Sequence, residues 1–375
     1  MTSTVKNRKR LPAIEYMRGI SMLGVIGIHI GSQYLTNALA NVHLVALFEI
    51  VTRFAVPIFF FISAFGLFYR LDLDAPFDYR KFMRRRFKTV LIPYLTWSIF
   101  YLIHDGWFYH VGFPAPDYLI KILFFGIAKY QLYFMVILIW FYALMPLWIA
   151  IVRRITPRGL IVLLILQIAF DYFSSYNQSF NAYVYSLPPD DLWRWFLYFR
   201  LNWLVLHYVF IFVLGGWLAV RFEQFDRFMR SNFATISIAF VITLLGMLAH
   251  YNYIIRVWGL PPEAAINIAH QLSPIGILYT IAASIFFFAL FTTVDFGAFK
   301  GVLSMFGRHS YFAYLVHPLV ITYLILWLQS SGRILTAPTA IGFYIATVVI
   351  SLTMAALSFN IGNKFPLINK LTIGK

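Results

Sequence analysis

The sequence predicts an all-α polytopic integral membrane protein of about ten transmembrane helices, and three observations carry that prediction. Hydrophobic residues make up 61% of the 375 positions and charged residues only 12%, against roughly 45–50% and 25% in soluble domains. Mean hydropathy is +0.76, with 20% of residues aromatic, so too little polar surface remains to cover a water-soluble globule of this size. Finally, apolar runs of about 20 residues, the length that crosses a hydrocarbon core, recur along the whole chain. These runs are continuous, whereas barrel strands alternate apolar and polar residues, and lipid cannot satisfy open backbone. A soluble enzyme, a disordered protein and a single-span anchor are excluded.

In chain order the expected spans are about 14–36, 48–69, 88–108, 130–152 and 159–175, followed by about 203–220, 232–251, 271–294, 309–330 and 338–360. The first follows the polar, basic stretch Met1 to Arg10 and is longer than the apolar core of a signal peptide, so it reads as a retained span. Segments 1–13 and 361–375 are expected to be cytoplasmic tails around one transmembrane domain, 14–360. No internal repeat is visible, which argues against an inverted-repeat transporter.

Charge gives the expected orientation. Net charge is +16. With the N-terminus inside, the alternate segments 1–13, 70–88, 153–158, 221–230, 300–308 and 361–375 hold 22 Lys and Arg, and the opposite loops hold 7. The positive-inside rule then places both termini in the cytoplasm. The basic excess is thereby a topology signal that also meets membrane lipids, and no nucleic-acid partner is expected. Cysteine is absent, which excludes disulfides, thiolate metal sites and a Cys nucleophile; no metal site is expected.

Ionisable residues within a span are costly unless paired or hydrated, so each is a candidate for function. Arg18 and His29 are eleven residues apart in the first span. At 3.6 residues per turn they share a face, about 16 Å apart along the axis. Glu15, Ser21, Val25, Ser32 and Gln33 fall on or near that face. A neutral imidazole in a membrane suits a general base, although a structural hydrogen-bonding His fits the same position, and Arg18 equally suits a snorkelling boundary residue.

A second cluster runs Tyr79-Arg80-Lys81-Phe82-Met83-Arg84-Arg85-Arg86-Phe87-Lys88 into Leu91-Ile92-Pro93-Tyr94. Its density of charge at the mouth of the third span makes an anion site suited to phosphates, which Arg forks bind bidentately. A topology signal in contact with anionic lipid reads the same way. The third cluster is Gly307 to Pro318. Ser310, Tyr314 and His317 lie at i, i+4 and i+7 on one face, and Pro318 frees a backbone carbonyl next to His317. That face lines a polar cavity or makes interhelical hydrogen bonds.

Together these clusters resemble the membrane-bound acyltransferase-3 family. Glu15-Tyr16-Met17-Arg18-Gly19-Ile20 followed by His29 is similar to the family's first-helix signature. Arg85-Arg86-Phe87-Lys88 before Ile92-Pro93-Tyr94 resembles the basic stretch entering its third helix. Ser310-Tyr311 with Tyr314-Leu315-Val316-His317-Pro318 resembles its late signature. Fainter echoes are Pro57 to Phe65, where Ala64 replaces the family's Gly, and Gln131 to Phe134, where Tyr133 stands for Trp. Thr89 sits where a second basic residue is common.

The resemblance implies a transmembrane O-acyltransferase of the bacterial cytoplasmic (inner) membrane. Its donor substrate would be acyl-CoA, most often acetyl-CoA, with no bound cofactor, and its acceptor a hydroxyl of an extracytoplasmic or lipid-linked glycan. His29 would inherit the catalytic role, and Arg18, Arg84, Arg85, Arg86 and Lys88 would hold acyl-CoA. Glu15, Ser310, Tyr314 and His317 would support the site. Transfer would be direct or rely on another protein, since only about 15 residues follow the last span. His29 would act as a base or through an acyl-histidine relay. A glycan exporter or flippase is the main alternative; it needs a polar midplane but no site for CoA. A glycosyltransferase would need carboxylates near the membrane face, for which Asp105, Asp117, Asp171, Asp190 and Asp191 are the candidates. Loop aromatics such as Trp107, Tyr109, Tyr183 and Trp193 suit sugar stacking or an interfacial belt.

Overall fold

A computed structural model describes residues 8–35 and 41–375. Lys6 and the rest of the first seven residues, together with position 36 of the first expected span, lie outside the described residues.

Among the described residues, each of the ten expected spans falls for most of its length on helix. The first is α1 (Pro12–Leu35), and the second is α2 (Val42–Thr52) followed by α3 (Ala55–Arg70). The basic run forms the short α4 (Tyr79–Arg86), which passes through a π turn, Phe87–Leu91, into α5 (Ile92–Phe108). Pro93 explains the π turn, because it cannot donate to the carbonyl of Thr89 four residues back. After α6 (Pro116–Phe125), the fourth span bends by 67° between α7 (Tyr133–Ala143) and α8 (Met145–Arg154), with Pro146 in the first turn of α8. The fifth is α9 (Pro157–Tyr176), started by Thr156 as N-cap and Pro157 at N1.

Three short helices fill the next loop: α10 (Gln178–Ser186), α11 (Leu192–Tyr198) and α12 (Arg200–Trp203). A 3-10 turn, Val205–Tyr208, leads into α13 (Val209–Val220), and a 96° bend at Arg221 turns the chain into α14 (Phe222–Ser231). There follow α15 (Phe233–Val257), α16 (Pro262–Ile268), α17 (Pro274–Thr293), α18 (Lys300–Ser330), α19 (Ala337–Lys364) and α20 (Pro366–Thr372). Among the described residues, seven helices or helix pairs are long and apolar enough to cross a membrane, and nine if each bent pair is one span. The 17-residue α5 falls just short on length.

Packing sorts these helices into a centre and a rim. The apolar window of α1 is 67% buried and that of α15 only 11%, so α1 is the core helix and α15 a peripheral one. Accordingly Ile238, Val241, Ile242 and Leu245 of α15 turn outward, as a lipid-facing helix requires. Around α1 stand α2, α3, α17, α18 and α19. The C-terminal α20 folds back on α5, where Trp97 Nε1 donates to the Thr372 carbonyl at 3.1 Å.

Candidate active site

Two helices from opposite ends of the chain build the site. Near the start of both, Ser304 of α18 donates to Glu15 of α1, which also accepts from Arg10. One turn further, Gly19 lies against α18. A Cβ there would stand 2.9 Å from Phe306 Cβ and 3.1 Å from the Gly307 amide, and Gly307 in turn abuts the Glu15 backbone. Ten residues beyond these glycines, His29 and His317 stack with ring centroids 5.3 Å apart and 18° between planes. The equal offset on both helices makes them parallel and in register over about 15 Å. Small residues at the crossing let the backbones approach, and that approach brings the two imidazoles together.

Pro318 sets the state of His317. Without an N–H, proline leaves the Tyr314 carbonyl without its backbone donor. His317 Nδ1 takes that place, donating to it at 2.7 Å. A carbonyl only accepts, so Nδ1 carries the proton and Nε2 the lone pair. That Nε2 is buried and has no hydrogen-bond partner among the described residues. On its other side His29 meets the ring of Tyr130, 4.2 Å away and tilted by 45°. Tyr130 is 42% exposed, so the histidine pair is reached from the space beside it.

Eleven residues earlier on α1 the surroundings are cationic. Arg18 is exposed although Met17 and Gly19 beside it are buried, and Tyr142, Glu15, Arg86 and Arg10 lie within its electrostatic reach. It is a cation at the surface of an otherwise buried stretch of α1. Arg86 packs on the rings of Phe82 and Tyr142, at 5.0 and 4.9 Å. Its Nε and the Tyr311 hydroxyl are buried without hydrogen-bond partners among the described residues. The one carboxylate among Arg18's neighbours, Glu15, is already engaged by Arg10 and Ser304. Among the described residues neither Arg18 nor Arg86 has a salt bridge, and two such guanidinium groups favour an anion.

The structure thus divides the expected residues. It joins His29 to His317 and Arg18 to Arg86. Glu15 ties α1 to α18. Arg84, Arg85 and Lys88 are exposed on the outer side of the basic run. Ser310 spends its hydroxyl on the Gly307 carbonyl of its own helix, at 2.8 Å, and the Tyr314 hydroxyl donates to the Gln131 carbonyl. Both hydroxyls are therefore engaged by backbone carbonyls, Ser310 within α18 and Tyr314 across to the segment before α7.

Sequence reasoning passed over Tyr130 and Tyr142, quoted Tyr311 only as part of the late signature, and offered Asp105 only as a glycosyltransferase carboxylate, without the polar cluster it forms beside the histidines. There Asp105 accepts from Lys129 Nζ at 2.7 Å and bonds His104 Nδ1 at 2.8 Å, while His104 Nε2 meets the Tyr323 hydroxyl at 3.1 Å. Lys129 also stands over the Tyr101 ring at 5.4 Å, and the Tyr101 hydroxyl donates to the Leu315 carbonyl at 2.6 Å. These residues stand at span ends, where burial cost does not mark them.

Comparison with known proteins gives a consistent family. A family model described as an acyltransferase domain matches residues 11–356. The probable poly-beta-1,6-N-acetyl-D-glucosamine export proteins of Staphylococcus aureus strains MRSA252 and Mu50 / ATCC 700699 are 23% identical over 247 and 244 residues, in each case 64% of this chain. The match spans 62% of the length of these relatives. No solved structure matches the chain.

Proposed function

The chain belongs to the acyltransferase-3 family, and from that premise we propose that it moves an acyl group, acetyl in the first instance, from cytoplasmic acyl-CoA to a hydroxyl of an extracytoplasmic or lipid-linked glycan. The observation that carries this reading is the stacked His29–His317 pair, with His317 Nε2 unpartnered among the described residues, about 16 Å along α1 from the exposed Arg18. An anionic donor seated at Arg18 and Arg86 would direct its thioester along α1 towards the histidines. The acceptor hydroxyl would arrive beside Tyr130. His29 would take its proton as the oxygen attacks the carbonyl, and the thiolate would leave towards the basic end. The expected setting is the bacterial inner membrane, with both termini in the cytoplasm.

The test is thioester turnover: purified protein, acetyl-CoA and a membrane glycan extract, with release of free CoA followed over time. Release that needs both the extract and His29 supports acyl transfer. No release across acetyl-, propionyl- and succinyl-CoA overturns it. The second reading, a glycan exporter or flippase, is favoured by the name of the staphylococcal relatives. Glycan translocation without thioester consumption would establish it.

Two smaller predictions follow from the geometry. Arg18→Ala and Arg86→Ala should each weaken acyl-CoA binding by roughly 10–100-fold, the loss of one charge-assisted hydrogen bond. Arg84→Ala and Arg85→Ala should change it less than about threefold, since exposed charges contribute little. Isothermal titration with a non-hydrolysable acyl-CoA measures both. Pro318→Ala returns a backbone N–H to the Tyr314 carbonyl, in competition with His317 Nδ1. Turnover should fall roughly tenfold, about 1.4 kcal/mol, while thermal stability holds or rises. A joint fall in stability and turnover would instead assign Pro318 a packing role.

A further inference from the structure

A second constellation lies away from the histidine pair. On α9, Gln167, Asp171 and Ser174 share one face at i, i+4 and i+7. The 3-10 turn before α13 brings His207 against them. His207 Nδ1 donates to Asp171 Oδ1 at 2.6 Å, both side chains being fully buried. Gln167 Nε2 donates to the other oxygen, Oδ2, at 2.8 Å and to the Leu206 carbonyl at 2.7 Å. Its own Oε1 accepts from the Phe210 amide at 3.1 Å. The imidazole is thereby fixed with its proton on Nδ1 and its lone pair on Nε2, which faces Ser174 Oγ at 3.5 Å.

Ser174 differs from helical hydroxyls that close on their own helix. Ser237, Ser284 and Thr322 each donate back to the carbonyl four residues earlier, the usual outlet for a hydroxyl in an apolar helix. Ser174 Oγ instead accepts from Arg200 Nε at 3.0 Å, leaving its own hydrogen for His207 Nε2. Ser174 and Arg200 also line a cavity of about 280 Å³ whose other walls include Phe170, Phe173, Phe180, Phe196 and Trp203. Nucleophile, base, orienting carboxylate, adjacent cation and apolar pocket are the parts of a serine acyl-transfer site.

We propose that Ser174, His207 and Asp171 form a second, serine-nucleophile site that takes carboxylic esters with a short apolar acyl group. The acyl group sits in the aromatic cavity. Ser174 Oγ bonds to the ester carbonyl carbon as its proton passes to His207 Nε2, and Arg200 stands next to the developing oxyanion. The bond to the leaving alcohol breaks, that alcohol takes the proton from His207, and an acyl-Ser174 ester remains. Water or a second hydroxyl then attacks the ester, its proton travelling through His207 back to Ser174 Oγ. Neither metal nor redox partner is needed. The 3.5 Å separation closes when an ester is bound, as catalytic hydrogen bonds lengthen in empty sites.

The test is covalent labelling of the purified full-length chain in detergent micelles with a fluorophosphonate, followed by peptide mass mapping. One adduct on Ser174 is expected. Ser174→Ala should abolish it, and Asp171→Asn or His207→Gln should slow it by roughly 10²-fold or more. His29→Ala should label at the wild-type rate, so this site stands or falls separately from acyl transfer at the histidine pair. Hydrolysis of p-nitrophenyl butyrate should follow the same order of variants. Absence of an adduct on Ser174 in monodisperse wild-type protein overturns the proposal, as does wild-type labelling in the His207→Gln variant; either result makes the cluster a structural clamp between α9 and α13.

Discussion

His29→Ala is expected to lower acyl-CoA-dependent transfer by roughly 10²–10⁴-fold, the contribution of a positioned general base, and by more if the imidazole carries the acyl group itself. Binding of acyl-CoA should change less than about threefold, because the cationic surroundings of Arg18 lie about 16 Å away along α1. The two quantities separate chemistry from docking: the first is read from CoA release, the second from titration with a non-hydrolysable analogue. Retained turnover in the variant removes both the base and the relay. His317→Ala should also lower turnover without weakening donor binding, since His317 faces His29 and no cationic residue.

The next largest effect is expected from Gly307→Leu. A Cβ at this position already collides with the Glu15 backbone, and a leucine adds three more carbons to the closest part of the α1–α18 contact. The helices must separate, and the cost of overpacking is typically 1–3 kcal/mol or more. Loss of turnover together with a lowered melting temperature is the expected result, even though the glycine touches neither histidine. A Gly301→Leu control should leave both quantities near wild type, because nothing lies within 4 Å of a Cβ there. Equal behaviour of the two variants would refute the role assigned to the close crossing.

How far the sequence reaches differs between the helices and the site. Span positions were legible because lipid demands unbroken apolar runs, and every expected run coincides for most of its length with helix among the described residues. The bends at Leu144 and Arg221 were not legible, since composition does not register the direction a helix takes. Within the site, Arg18 and His29 could be paired by helical periodicity alone, as could Tyr314 and His317. That His29 meets His317 could not, because it depends on which helices pack, and two glycines far apart in the chain determine it. Arg86 differs from its neighbours Arg84 and Arg85 only in the face of a short helix it occupies, and identical residue types gave no reason to prefer one. Tyr130 escaped notice because a tyrosine at a span end looks like an interfacial anchor. The Ser174 cluster was equally hidden, its three members being a loop-flanking serine, a carboxylate and a turn histidine that only folding assembles.

The parallel contact between α1 and α18 has a mechanical consequence. The pair is fastened at three heights, by Glu15–Ser304, by the glycine crossing and by His29–His317, so neither helix can slide or tilt without breaking all three. Helices α1 and α18 therefore act as a stator that joins the two halves of the chain. Motion that admits a donor or an acceptor must fall to helices outside this unit, of which the peripheral α15 is the least buried of the long ones. Transport by rocking one half of the molecule against the other would have to tear the stator apart, whereas group transfer beside a fixed helix pair leaves it intact.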